Sequence, residues 1–222
     1  ARIGELADDA FDRARIITSL NPERGAIGPF ATNPTVRTSW PENFSIASDW
    51  PQHAQYVDVD ANGAFRVTGN GLSGGHNARE FATALLNPRS FADPIPGREV
   101  SRTPILDAQG RQIGEHIRYQ IPQLDGHSTV RRPVFDADGN PVYKAKVYDK
   151  TVYDPGVLDD ATVVRELSDA AASAAPTQTD FGTSTNRLTK SEITSSGLHF
   201  TAYYELVDGS VTLRNAHFVP GP

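Results

Sequence analysis

An α+β domain is the fold class this sequence predicts. Helical and strand-like segments follow one another without βαβ regularity, and two-residue turn signals such as Asn62-Gly63 and Asp208-Gly209 join strand segments into hairpins. Hydrophobic residues at 38% and aromatic residues at 9% of 222 positions suffice for a packed core.

Taken in order, residues 4–20 set Leu6, Ala10, Phe11, Ala14, Ile17 and Leu20 near a 3.6-residue repeat, which predicts an amphipathic helix. Over 21–54 the residues Pro22, Pro29, Pro34, Pro41 and Pro51 forbid long regular elements, so this stretch is expected to be rich in loops. Alternation over 56–67 about Asn62-Gly63 predicts a hairpin. The glycine run at 69–75 serves as a linker or as a loop that lets backbone approach a phosphate. A division is expected there, into a helical and loop-rich N-terminal region (1–69) and a compact domain of helices packed on an antiparallel sheet (70–222). Residues 76–86 read as a helix stopped by Asn87-Pro88. Strands are expected at 113–121 and 141–148, with turns at Asp125-Gly126 and Asp138-Gly139 between them. Asp159 or Asp160 caps a helix running to Ala174, with Val163, Val164, Leu167, Ala170, Ala171 and Ala174 as its apolar stripe. A polar loop over 177–189 precedes a closing hairpin of 198–206 and 211–219.

Composition excludes several classes. There is no cysteine, so disulfide scaffolds, thiolate metal sites, cysteine nucleophiles and the Cys-ligated zinc deaminases are ruled out. No apolar run approaches the roughly 18–20 residues of a membrane-spanning helix. A chain that begins at Ala1 and holds no methionine is expected to be a piece of a longer polypeptide. The net charge of −6, from 21 basic and 27 acidic residues, argues against a protein that coats nucleic acid but allows a confined basic cleft.

Two acidic strings, Asp58 to Gly63 and Asp136 to Asn140, imitate the first half of a calcium loop. Their twelfth positions, Gly69 and Val147, supply no carboxylate, so both read as tight turns and no metal site is expected. The six histidines show neither H-E-x-x-H nor paired short spacing, which leaves metal-independent acid–base work. His76 is the most informative, because it follows Gly74-Gly75 and opens a helix whose free N–H groups favour an anion; a capping surface histidine is the competing reading. Arg131, Arg132, Lys144, Lys146 and Lys150 cluster among Tyr143, Tyr148 and Tyr153, a composition that suits single-stranded RNA and equally suits a solvated edge strand. Serine, histidine and aspartate are all present, but no G-x-S-x-G elbow supports a hydrolase triad.

Several strings occur in a fixed order: Gly74-Gly75-His76-Asn77 before a short helix, Tyr119-Gln120-Ile121-Pro122 with Asp125-Gly126, then Lys150-Thr151-Val152-Tyr153-Asp154-Pro155, an alanine-rich capped helix and a final hairpin. Together they resemble, over residues 70–220, the C-terminal toxin domains of CdiA-like and filamentous-haemagglutinin-like polymorphic toxins, in particular those with an EndoU-like ribonuclease arrangement. No V-E-N-N or N-x-x-L-Y-N junction is present. The resemblance implies a ribonuclease of the barnase/EndoU/colicin/RelE type, carried at the tip of a large exported bacterial surface protein. It further implies action on RNA, often tRNA, in the cytoplasm of a target cell, neutralisation by a cognate immunity protein, and a translocation or pretoxin role for the N-terminal region.

The expected chemistry is cofactor-free, metal-independent transesterification through the ribose 2′-OH. His76 is expected to transfer a proton, Lys150 to stabilise the phosphorane and Thr151 to bind phosphate or orient the nucleophile. His217 is the candidate for the second proton-transfer group, ahead of His127 and His199. Asn77, Tyr153 and Lys146 are expected to bind substrate. A non-catalytic adhesin or pretoxin module and an NAD-consuming toxin stay open as alternatives.

Overall fold

The computed structural model describes residues 41–126, 132–182 and 185–221. The helix expected at 4–20, Arg131 and His127 lie outside the described residues. In chain order the elements are β1 (Phe44–Ile46), α1 (Trp50–Gln55), β2 (Val67–Thr68), β3 (Gly71–Leu72), α2 (Ala78–Leu85), β4 (Arg98–Leu106), β5 (Gln112–Gln120), β6 (Tyr148–Tyr153), α3 (Asp160–Ser173), a 3-10 turn (Gln178–Asp180), β7 (Arg187–Ile193), β8 (His199–Val207) and β9 (Ser210–Phe218). The class is α+β, as the sequence predicts.

Two sheets carry the fold. The larger has the order β1-β9-β8-β7, antiparallel except for the parallel β1/β9 pair. The hairpin β8/β9 turns at Asp208-Gly209, where both residues adopt positive φ (49° and 79°), the conformation such turns require and Asp-Gly tolerates. Helix α3 lays Val163, Leu167 and Ala171 against this sheet, and its first turn is capped by Asp159, which accepts from the Thr162 N–H at 2.7 Å. The smaller sheet, β4-β5-β6, is antiparallel, and α2 packs Phe81 and Ala84 with its Ile117, Tyr119 and Val152.

The structure departs from the expectations at four places. Residues 44–55 are not loop: β1 pairs with β9, and Pro51 stands in the first turn of α1, where its missing N–H has no partner to lose. The division expected after residue 69 therefore does not separate structural units, because Phe44 and Trp50 pack in one core with α3, β8 and β9. The strand expected at 141–148 is displaced to β6; Pro141 and Tyr143 form only single bridges, to Phe135 and Pro122. Strand β4 was hidden by its polar alternation and Pro104, which an edge strand tolerates. Strand β7, likewise polar and at an edge, takes the end of the expected 177–189 loop.

One irregularity sets the stage for the site. On β8 the core-facing residues are Phe200, Ala202 and Tyr204, opposite Phe218, Ala216 and Leu213 on β9. The partner spacing jumps from two to three because the register shifts between Tyr203 and Tyr204, leaving Arg214 as the extra residue of a β-bulge. The bulge turns Asn215 and His217 to the face opposite the core. Among the described residues, no helix is long and apolar enough to cross a membrane.

Trp50 is fully buried at the junction of α1 with the larger sheet. Trp50→Ala is expected to cost about 3–5 kcal/mol, the range for large-to-small aromatic substitutions in cores, as measured by urea unfolding. A loss below about 1 kcal/mol would mean that α1 is dispensable to this core.

Candidate active site

A groove of about 510 Å³ opens along the seam between the two sheets, and its lining includes His53, His76, Lys150, Thr151, Tyr203 and His217. They come from five pieces of chain. His53 is on α1, His76 lies just before α2, Lys150 and Thr151 are on β6, Tyr203 is on β8 and His217 is on β9.

His76 is fixed by its own main chain. Its N–H donates to the Ala54 carbonyl at 2.9 Å, its carbonyl accepts from the Tyr153 N–H at 2.7 Å, and the preceding Gly75 N–H donates to the His53 carbonyl at 3.0 Å. Gly74 and Gly75 make this possible. Both adopt φ of +69°, and a Cβ on Gly75 would collide with the Val57 side chain, so the glycines let this strand of backbone lie directly on residues 56 and 57. The imidazole is then oriented by a third bond, Nδ1 to the Thr151 carbonyl at 2.8 Å. A carbonyl only accepts, so Nδ1 carries the proton and Nε2 keeps its lone pair.

The neighbours of His76 define its electrostatics. His217 stacks on it with ring centroids 4.7 Å apart and planes within 7°, and Tyr203 stacks in turn on His217 at 5.7 Å. Burial, then the Lys150 charge, then His217 hold His76 well below the ordinary imidazole range. Burial foremost, with Lys150 and His53 behind it, lowers His217 to about 4. Lys150 shares its strand face with buried Tyr148 and Val152, and its Nζ donates to the Leu72 carbonyl at 3.3 Å. Burial brings its ammonium down to about 7, against a partial upward pull from Asp58. The groove thus holds a cation that an arriving phosphate would stabilise.

His53 is the functional candidate the sequence reading passed over. Its Nδ1 lies 3.0 and 3.1 Å from the Asp58 carboxylate oxygens, and the Ser73 hydroxyl donates to the same carboxylate at 2.7 Å. A carboxylate accepts, so Nδ1 is again the protonated nitrogen and Nε2 is free. The His53 ring centroid is 6.4 Å from that of His76. Asp58 therefore orients a histidine, whereas Asp60 and Asp136 accept from the N–H groups of their own turns, at Asn62 and Ala64 and at Asp138 and Asn140. No spacing signal marks the His53–Asp58 pair, because it joins a helix end to the chain that follows it.

Of the residues singled out in the sequence, the fold brings His76, Lys150, Thr151 and His217 into one groove. Asn77, Tyr153 and Lys146 are not among its lining. Asn77 caps α2, accepting from the Arg79 N–H at 2.9 Å, so the helix N-terminus expected to receive an anion is already occupied. The Asn77 amide and the Tyr153 hydroxyl both donate to Asp160, at 2.8 and 2.6 Å, behind the site. Lys146 bonds the Gly69 carbonyl and lies over the Tyr148 ring on the exposed side. Of the four lysines Lys150 alone lines the groove, so the basic cluster read from composition is not a single patch. His199 is on β8 and lines neither the groove nor the His76–His217 stack. Among the described residues no three His, Asp or Glu side chains group as a metal site.

Two oriented imidazoles and a buried lysine line one open groove, an arrangement suited to acid–base chemistry on an anionic group. No protein-family model matches the chain. Over 138 residues it is 30% identical to part of the tRNA nuclease CdiA of Yersinia mollaretii. The match covers 62% of this chain and 4% of that protein's length.

The buried imidazoles have a consequence for stability. His217 is neutral when folded and titrates near 6.5 when unfolded, so its contribution is whole above pH 6.5 and is lost as pH falls from there through about 4. His76 acts in the same direction. His217→Gln is therefore expected to flatten the fall in unfolding midpoint between pH 7 and pH 4.5. Parallel curves for the two proteins would show that this ring titrates as it does in water.

Proposed function

We propose that the chain is the nuclease end of a contact-dependent growth-inhibition toxin and cuts RNA, with tRNA as substrate, by metal-independent transesterification. The carrying observation is that His53 and His76, each with Nδ1 held by a protein acceptor and Nε2 free, share one groove with the buried Lys150. The tRNA nuclease named above supports the substrate class. An EndoU-like ribonuclease is the arrangement we favour.

His76, kept neutral by burial and by Lys150, serves as the base. Its Nε2 takes the proton of the ribose 2′-OH, the 2′-oxygen attacks the adjacent phosphorus, and the bond to the 5′-oxygen breaks. His53 enters this step as the imidazolium, with Nδ1–H on Asp58 and a second proton on Nε2, and gives that Nε2 proton to the leaving oxygen while Asp58 balances its charge. The second proton-transfer role, expected at His217, thus passes to His53. His217 instead presses flat on His76 and fixes the plane of the base. Lys150 stabilises the negative charge that grows on the phosphoryl oxygens, and the Thr151 hydroxyl, buried without a partner, is available to donate to them. Stacking of a base, expected at Tyr153, falls to Tyr203, a residue 37% exposed that lines the groove. The products are a 2′,3′-cyclic phosphate and a free 5′-hydroxyl.

In the same reading the domain is exported on a large bacterial surface protein, acts in the cytoplasm of the target cell and is neutralised by a cognate immunity protein. Cytosolic expression without that partner is expected to arrest growth. In vitro, the protein is expected to cut total tRNA in the presence of EDTA and leave cyclic phosphate ends, and His76→Ala and His53→Ala each to lose at least ~100-fold in rate. Intact tRNA under these conditions would overturn the reading, and linear phosphate ends would overturn the mechanism.

A further inference from the structure

The mechanism gives no task to Asn215, a polar side chain of the groove. Asn215 lines the groove directly across from Tyr203, and its Oδ1 is buried with no hydrogen-bond partner. Folded proteins pair nearly all such atoms, because a buried amide oxygen left without a donor is costly. Packing does not explain its position. With unbroken alternation from Leu213, residue 215 would face the core, and the bulge at Arg214 is what turns it to the groove beside His217.

We propose that Asn215 selects the base on the nucleotide whose 2′-OH attacks, by pairing its side-chain amide edge to edge with that base as it lies against Tyr203. The inference rests on the ribonuclease reading. An amide presents one acceptor beside one donor, and the complementary partner is a base edge with an N–H next to a lone pair. The phosphate and ribose are served by Lys150 and the histidines, which do not distinguish one base from another. Asn215 sets an amide acceptor and donor side by side next to the aromatic platform, so it is where base identity can be read.

The test uses four oligodeoxynucleotides that each contain a single ribonucleotide, A, C, G or U, so that only one bond can be cleaved. The wild type is expected to prefer one or two bases by at least ~10-fold in kcat/KM, the scale of one good base contact. Asn215→Leu is expected to compress the spread to within about threefold, mainly by lowering the rate on the preferred base. Asn215→Asp, which keeps the shape and so guards against a folding failure in the leucine variant, presents two acceptors side by side. Its preference should move toward guanine, whose N1–H and N2–H donors match them. An unchanged ranking in folded Asn215→Asp, or equal rates on all four substrates in the wild type, would overturn the role of Asn215 while leaving the ribonuclease standing. A wild type that cuts none of the four and leaves tRNA intact would remove both.

Discussion

The site exists because one dipeptide, Gly75-His76, is tied by main-chain hydrogen bonds to two elements distant in the chain. His53 and Ala54 accept on one side and Tyr153 donates on the other. These bonds fix α1 and β6 at the distance where His53, His76 and Thr151 line one groove. No disulfide is available to hold the seam, since the chain has no cysteine. The two apolar clusters on either side provide the stability, and the peptide groups of 75 and 76 provide the alignment. Such bonds are directional, and buried peptide groups left without partners are expensive. The seam is therefore set to a narrower tolerance than the cores that flank it.

Electrostatics follow from that placement. The protein carries net negative charge, yet the groove gathers histidines and Lys150, with the acidic residues set to specific tasks: Asp58 on His53, and Asp149 on His116 at the rim, 3.2 Å away. Burial holds the two stacked histidines neutral and lowers the Lys150 ammonium to about 7, so the groove is basic in its residues more than in standing charge. A buried ammonium is costly without a counter-charge, and in the ribonuclease proposed above the substrate phosphate supplies it. A broad basic surface would have attracted nucleic acid without this requirement.

The sequence was informative where local chemistry decides. The cap expected at Asp159 or Asp160 falls on Asp159, the turn stands at Asp208-Gly209, and the helix expected over 76–86 runs from Ala78 to Leu85, each specified within a few residues. The glycine pair before His76 was legible as a conformational need, although the helix N-terminus it precedes is filled by Asn77 and not by an anion. Polar edge strands β4 and β7 were not legible, because polar residues fill most of the positions where a buried face would place apolar ones. Long-range pairing was equally hidden: nothing in residues 44–46 announces a parallel partner at 211–213. For the same reason Asp58 looked like a turn residue.

The extra residue at Arg214 has a wider consequence. It makes β9 two half-strands in different phase: 211–213 are spaced to suit the sheet and β1, and 215–217 to suit the groove. A one-residue insertion or deletion at that point acts like a frame shift, exchanging the side chains that face the groove for those that belong in the core while leaving the first half in place. Homologous chains are then free to vary the composition of the second half and constrained in its length, and the bulge is the position at which a new groove surface could be brought into play without rebuilding the fold.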